Sequence, residues 1–192
     1  CYPTASTLAA APVLAAGLLR EGATVVVDAI SGVSGAGKGC TARTHYCMAD
    51  ENLEAYGVGR HRHQPEIAQN CDVPVIFTPH LAPLKRGLLS TVYLPLVDGV
   101  GLEELRGLYE VSYGGERFVH LVPQGTQPRT GSVAGSNRAQ VAVVLDERTN
   151  TAIATCAIDN LMKGAAGQAV QNANIVCGLD EAMGLDAPAP LI

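Results

Sequence analysis

The side chains of this sequence able to do chemistry by type and spacing are one thiol, a pair of imidazoles and a few guanidinium groups. Cys1 opens the run Cys1-Tyr2-Pro3-Thr4, immediately ahead of residues that suit a helix N-terminus. A thiol there sits beside unpaired backbone N–H groups and the positive end of the helix dipole, and both favour the thiolate. The competing reading is that a terminal cysteine marks only where the chain starts. Arg60-His61-Arg62-His63 puts two imidazoles and two guanidinium groups into four consecutive residues of a chain whose net charge is −5. That cluster suits an anionic substrate, and histidine is the usual proton partner of a catalytic thiol; a solvated basic loop is the alternative. His61 and His63 could also be grouped with Cys40, His45 and Cys47 as zinc ligands. The spacing is irregular and no carboxylate is placed to orient the imidazoles, so no metal is expected. Arg86, in Leu84-Lys85-Arg86-Gly87, is a further anion-binding candidate. Ser31-Gly32-Val33-Ser34-Gly35-Ala36-Gly37 follows a strand-like run, and its backbone N–H groups can cradle an anion. It has neither GxGxxG nor the Lys-Ser/Thr pair of a P-loop, so it is no common nucleotide fingerprint and also reads as a plain turn.

These residues have to be held by the elements around them. Thr4 to Leu19 is expected to be a helix, with Pro3 in its first turn and Pro12 kinking or breaking it. Ala23 to Ile30 reads as a buried strand from its β-branched run. Residues 41 to 59 are expected to be irregular, with a short helix from Asp50 to Tyr56, and a second short helix runs from Pro65 to Gln69. Val73 to Thr78 and Leu88 to Val97 read as strands joined by a turn-rich stretch from Pro79 to Gly87. Pro74 and Pro95 put those two near a sheet edge or a strand end. Leu102 to Tyr113 carries a helical apolar face. Phe118 to Val122, Gln140 to Leu145 and Thr151 to Ile158 are strands, the last two an antiparallel hairpin. Leu161 to Cys177 is a final helix, capped by Asp159 or Asn160 and stopped at Gly178. The tail with Pro188 and Pro190 is expected to be ordered only by docking. Consecutive strands without crossover helices imply an α+β fold: a mixed, mainly antiparallel sheet with helices on one face.

Composition excludes several function classes. At 192 residues, 47% hydrophobic and 16% charged, the chain can bury a sizeable core, which excludes disorder. The negative net charge and short basic groups argue against nucleic acid and anionic membranes. Apolar runs are interrupted well before the ~18 residues of a membrane span. Six cysteines without a CxxC pair, in a chain with an ample core, suit free thiols of a cytoplasmic protein. No signal peptide opens the chain, and its start without Met leads us to expect a preceding segment.

Six segments, in order, resemble the N-acetyl-gamma-glutamyl-phosphate reductases, relatives of aspartate-semialdehyde dehydrogenase. They are Cys1 to Ala5 (CYPTA), Ser31 to Gly37 (SGVSGAG), His61 to Ile67 (HRHQPEI), Phe77 to Thr91 (FTPHLAPLKRGLLST), Pro128 to Asn137 (PRTGSVAGSN) and Ile158 to Asn174 (IDNLMKGAAGQAVQNAN). The resemblance implies a sheet like that of the glyceraldehyde-3-phosphate dehydrogenase catalytic domain. Residues 1–192 would be the catalytic, substrate-binding and dimerisation domain of a homo-oligomeric enzyme. Residues 160–178 would form the helix that packs on an N-terminal NADP-binding domain. That domain, and the glycine normally just before the nucleophile, are absent from this sequence.

By the same resemblance, Cys1 attacks the acyl phosphate of N-acetyl-γ-glutamyl phosphate in arginine biosynthesis, phosphate leaves, and NADPH reduces the thioester to the semialdehyde. His63 is the acid/base partner, with His61 exchangeable for it. His61, Arg60, Arg62 and Arg86 hold substrate anions. Ser34, Gly35 and Asn172 (or Asn174) face the nicotinamide, while NADP(H) is bound mainly by the missing domain. The corresponding aminoadipyl phosphate reductase of lysine synthesis is equally compatible. Two readings of other classes stand beside it. One is an N-terminal-nucleophile hydrolase, whose Cys1 should head a strand; the other is a non-catalytic assembly domain. The last helix also carries Met162, Ala166, Ala169, Val170, Ala173 and Val176 along one side, with Gly164 and Gly167 permitting close approach. That stripe either packs on the chain's own sheet or, with no partner domain, faces water and drives self-association.

Overall fold

Alternation of apolar and polar residues along each strand decides which sheet face is covered, and here only one is. In the computed structural model, which describes residues 1–187, seven strands form one sheet. They are β1 (Val25–Gly32), β2 (Glu54–Ala55), β3 (Val75–Ala82), β4 (Leu88–Pro95), β5 (Val119–Leu121), β6 (Ala139–Asp146) and β7 (Thr151–Ile158). Their order is β2-β3-β1-β4-β7-β6-β5. β1–β3 and β5–β6 pair in parallel and every other neighbour pair is antiparallel. The helices are α1 (Tyr2–Ala15), α2 (Tyr46–Ala49), α3 (Gln64–Cys71), α4 (Leu102–Tyr113) and α5 (Gly167–Val176). α1 lies across β4, β7 and β6, with α3 on β3 and α4 on β6 and β5. Val25, Val27 and Ala29 of β1 are buried beneath them, while the residues between are only half-buried. The expected α+β architecture is the one observed.

α1 is the central helix, and its alanines are what admit it. Ala5, Ala9, Ala10 and Val13 are fully buried, and Ser6 Oγ meets Ser90 Oγ of β4 at 3.0 Å. The helix runs unbroken through Pro12, against the expected break, and ends at Ala15 rather than Leu19. Pro12 has no N–H for the carbonyl of Leu8 and crowds that turn. α4 makes good the loss: Tyr113 Oη donates to Leu8 O at 2.6 Å, and Tyr109 Oη adds a second tie to the same turn by donating to Ala9 O at 2.5 Å.

Other boundaries also moved. The expected helix from Asp50 to Tyr56 is instead α2, earlier in the chain, followed by β2. Two-residue pairing of Glu54 and Ala55 with Leu81 and His80 outweighs local helix preference there. The turn-rich stretch begins later than expected, because β3 continues through Pro79 to Ala82. The missing Pro79 N–H is tolerated beside a nearly open edge, where Pro79 O still accepts from Tyr56 N at 3.0 Å. The last helix starts as a five-residue π-helical turn, Met162–Ala166, before becoming α5. Pro188 and Pro190 lie outside the described residues.

If Tyr113 replaces the lost helix bond, Tyr113→Phe should destabilise the fold by about 1–3 kcal/mol in denaturant titrations, the cost of stranding a buried acceptor. The same change in a Pro12→Ala background should cost clearly less, because residue 12 then supplies the N–H. Equal costs in the two backgrounds would show that Tyr113 contributes packing alone.

Candidate active site

Cys1 is the N-cap residue of α1, and Cys1 O accepts from Ala5 N at 3.1 Å. The thiol makes no capping hydrogen bond, which leaves it free at the positive end of a fourteen-residue helix. A helix, not a strand, follows Cys1, unlike the arrangement expected of an N-terminal-nucleophile hydrolase. Beside it opens a cleft of about 540 Å³ that brings Cys1 together with Gly35, His61, Arg62 and His63. Segments separated by up to about sixty residues of sequence thus share one wall. Arg60 is exposed and outside this lining.

The imidazoles are held by aromatic edges. Tyr2 stands at right angles to His61 at 5.7 Å and lies 6.1 Å from His63, and Tyr56 is 5.3 Å from His61. Phe77 of β3 closes the back at 5.3 Å from His61. Tyr56 Oη donates to Tyr2 Oη at 3.1 Å, and Tyr2 Oη donates to His80 O at 3.0 Å, so the cage is tied to the sheet. The His63 N–H donates to His61 Nδ1 at 3.2 Å, which puts the His61 proton on Nε2. His63 Nδ1 is buried and has no partner among the described residues.

Burial pushes the His63 imidazole down to about 4, and the positive charges of His61 and Arg62 act in the same direction. His61 is also lowered, first by burial and then by Arg62. His63 is therefore neutral at pH 7, the form that can accept a proton.

Of the remaining expected site residues, Arg86 and Ser34 are tied to one clamp, whereas Asn172 is bonded only within its own helix and does not line the cleft. Asp159 is fully buried at the end of β7. Its Oδ1 accepts from Leu161 N at 2.8 Å and Met162 N at 3.0 Å, and its Oδ2 accepts from Gly135 N at 2.5 Å. Arg86 forks onto the same carboxylate, Nε to Oδ2 at 2.9 Å and Nη2 to Oδ1 at 3.2 Å. Of the two expected caps, Asp159 is the one that caps the last helix. Asn160 instead ties loops together: its Oδ1 accepts from Gly87 N at 2.7 Å and its Nδ2 donates to Ser34 Oγ at 2.9 Å. Gly35 follows, exposed at the cleft, and a Cβ there would stand 2.6 Å from Ser31 Oγ. Asn172 is exposed on α5 and accepts from Gln168 at 3.3 Å. Asn174 is buried, its amide donating to Glu181 O and Met183 O.

Sequence reasoning missed Tyr2, Tyr56 and Arg43. Arg43 lines the cleft, pairs with Glu54 at 2.6 Å and lies over the Tyr56 ring at 5.5 Å. Tyr2 was signalled by its place next to Cys1; nothing local marked Arg43 or Tyr56. Among the described residues no group of three or more His, Cys, Asp or Glu side chains forms a metal-ligand set. No helix among them is long and apolar enough to cross a membrane.

Residues 1–160 match the family described as semialdehyde dehydrogenase, dimerisation domain. The N-acetyl-gamma-glutamyl-phosphate reductase of Desulforudis audaxviator is 50% identical over 98% of this chain and 56% of its own length. The reductase of the same name from Geobacter sulfurreducens is 48% identical over 98% of this chain and 56% of its own. The chain thus spans just over half the length of the curated relatives it matches. Among solved structures, aspartate semialdehyde dehydrogenase II from Vibrio cholerae superposes with a TM-score of 0.69 at 18% identity, over 89% of this chain and 58% of that one. An aspartate-semialdehyde dehydrogenase from Francisella tularensis gives 0.68 at 14% identity, over 91% and 63%.

The depressed His63 pKa has a sign that can be tested. The folded state favours neutral His63, so its contribution to stability is complete above the unfolded value near 6.5 and is lost as pH falls towards about 4. Over that window the unfolded chain binds more protons, and stability should rise with pH less steeply in His63→Asn than in wild type. Denaturation series between pH 4 and 7 measure this, and parallel curves would contradict it.

Proposed function

The chain belongs to the semialdehyde dehydrogenase dimerisation-domain family, and from that premise we propose that it carries the catalytic half of an N-acetyl-gamma-glutamyl-phosphate reductase. The observation that carries the proposal is the cleft that brings the uncommitted thiol of a helix N-cap residue, a neutral imidazole and a cationic loop together. His63 takes the Cys1 proton. The thiolate then adds to the acyl carbon of N-acetyl-γ-glutamyl phosphate, the bond from carbon to the phosphate oxygen breaks, and phosphate departs as an anion. The acyl group is left as a thioester on Cys1, a better hydride acceptor than a carboxylate. After reduction the hemithioacetal oxyanion collapses, the C–S bond breaks, and N-acetylglutamate semialdehyde leaves with the thiolate restored.

His61, fixed as the Nε2–H tautomer, donates to substrate oxygen, and Arg62 with the neighbouring Arg60 holds the substrate's anions. NADPH, when bound, supplies the hydride. The residues here fit the ring end of such a cofactor only. Gly35 offers bare backbone at the cleft beside the small Ser34 side chain, and Asn172 is an exposed amide on α5. β1 is followed by a short 3₁₀ turn, Val33–Ala36, with no long helix whose N-terminus could take a pyrophosphate. The natural setting of this reading is arginine synthesis in the cytoplasm, where the six free thiols stay reduced, with the enzyme a homo-oligomer.

In the full-length enzyme, Cys1→Ser should abolish phosphate-dependent oxidation of the semialdehyde, and near-normal turnover would remove Cys1 from the mechanism. His63→Asn should lower kcat by ~10²–10⁴-fold, the usual effect of losing a general acid or base, while His61→Asn mainly raises KM. The reverse pattern would exchange the two roles. Calorimetric titration of the 192-residue chain with NADPH should give little or no binding, whereas low-micromolar affinity would place the main cofactor site here.

A further inference from the structure

We propose that Gly164 sets the position of the Cys1 thiol, and that Arg86 acts on the same point through Asp159 instead of holding substrate. The proposal rests on Cys1 being the nucleophile. A Cβ on Gly164 would lie 2.5 Å from Cys1 Cβ, 3.1 Å from Cys1 Cα and 3.3 Å from Asp159 O. None of these atoms is the tip of a flexible side chain. Cys1 is the start of the buried central helix, and Asp159 O is backbone at the end of β7. Cys1 cannot yield to the two closer contacts without moving the thiol, so a side chain at position 164 competes with the position of Cys1 itself.

What holds Gly164 there is a chain of short contacts. Its N–H donates to Asp159 O at 2.9 Å. The Asp159 carboxylate holds the N–H groups of Leu161 and Met162, so the start of the π-helical turn has no freedom to drift. The turn itself carries one residue more per loop than an α-helix, a departure that often marks functional sites. Arg86 then anchors Asp159 with a two-pronged pair, and the same carboxylate is fixed on its far side by Gly135 N. With both prongs committed to Asp159, the guanidinium has its preferred planar partner already. Arg86 is also not in the lining of the cleft. The path of constraint therefore runs Arg86 to Asp159 to Gly164 to Cys1, and its output is thiol geometry, not substrate affinity.

The two roles for Arg86 separate in kinetics. In the full-length reductase, Gly164→Ala should lower kcat by ~10²-fold or more with KM within about twofold, since misplacement near 1 Å costs about that much. Arg86→Ala should lower kcat by roughly tenfold with KM unchanged, and Arg86→Lys should restore only part, because an ammonium cannot fork. Alkylation of Cys1 by iodoacetamide, followed by mass spectrometry of the Cys1 peptide, should show a changed rate and a displaced pH profile in both Ala variants. Circular dichroism and thermal melting establish that each variant is folded. Wild-type turnover by Gly164→Ala overturns the proposal, as does an Arg86→Ala enzyme with raised KM and unaltered kcat. Should Gly164→Ala fail to fold, the Arg86 variants decide: a folded Arg86→Ala protein with the wild-type alkylation profile and kcat overturns it. Cys1→Ser serves as the separate control. Normal turnover by that variant overturns the nucleophile assignment, whereas its inactivity beside a fully active Gly164→Ala overturns the positioning role alone.

Discussion

The buried carboxylate of Asp159 is the constraint on which the site depends. An ionised carboxylate away from water is tolerable only when its lone pairs are met by donors. Five contacts do this here, from Leu161, Met162, Gly135 and two guanidinium nitrogens of Arg86. They come from three separate stretches of chain. Satisfying one charge therefore fixes the start of the last helix, the loop after β3 and the loop before β6 relative to β7. Asn160 extends the same arrangement to Ser34, and so to the glycine-rich edge of the cleft.

Cys1 and the two imidazoles are held by a different means. Cys1 inherits its place from α1, which is locked by small-residue packing on β4 and by two tyrosine hydroxyls from α4. The imidazoles come from an irregular loop that would wander alone, and a cage of Tyr2, Tyr56 and Phe77 confines them. Edge-to-face contacts of this kind fix ring orientation at little polar cost. The same apolar surroundings desolvate His63 and keep it neutral, so confinement and protonation state have one physical origin. The helix N-terminus and the cage thus set the surroundings of the two groups that share one wall of the cleft.

The last helix is inverted relative to ordinary surface helices. Its buried side is polar: Lys163 Nζ donates to Gln171 Oε1 at 2.6 Å, and Gln171 Nε2 donates to Glu181 Oε2 at 3.0 Å. Its outward side carries the apolar stripe. Ala166, Ala169, Val170, Ala173 and Val176 are exposed, with Val176 at 84%, and only Met162 is half-buried. Of the two expectations for the stripe, packing on the chain's own sheet is the one that does not hold. The polar network occupies the inward face and also docks residues 180–185, through Asn174 and Glu181.

Much of the fold was legible in the sequence because it rests on local pattern. The β-branched runs of β1, β4 and β7, the hairpin around Asn150, the apolar face of α4 and the α+β class all follow from periodicity and turn chemistry, which depend on near neighbours. The segments around Cys1, His61 and His63 stood out by residue type and spacing, and the structure brings the three residues to one cleft. Three things were decided only by tertiary structure. α1 survives Pro12 because Tyr113, about a hundred residues later, supplies the hydrogen bond that Leu8 O lacks. The irregular stretch between residues 41 and 59 took its form from pairing with the edge of β3, not from local propensity. Arg86 read as an anion-binding candidate, and only folding shows that the nearest anion is the buried carboxylate of Asp159, 73 residues away. A sequence states which charges exist. Which of them remain available is settled by where the chain buries their partners, because a buried charge takes the nearest complement at the expense of every other role.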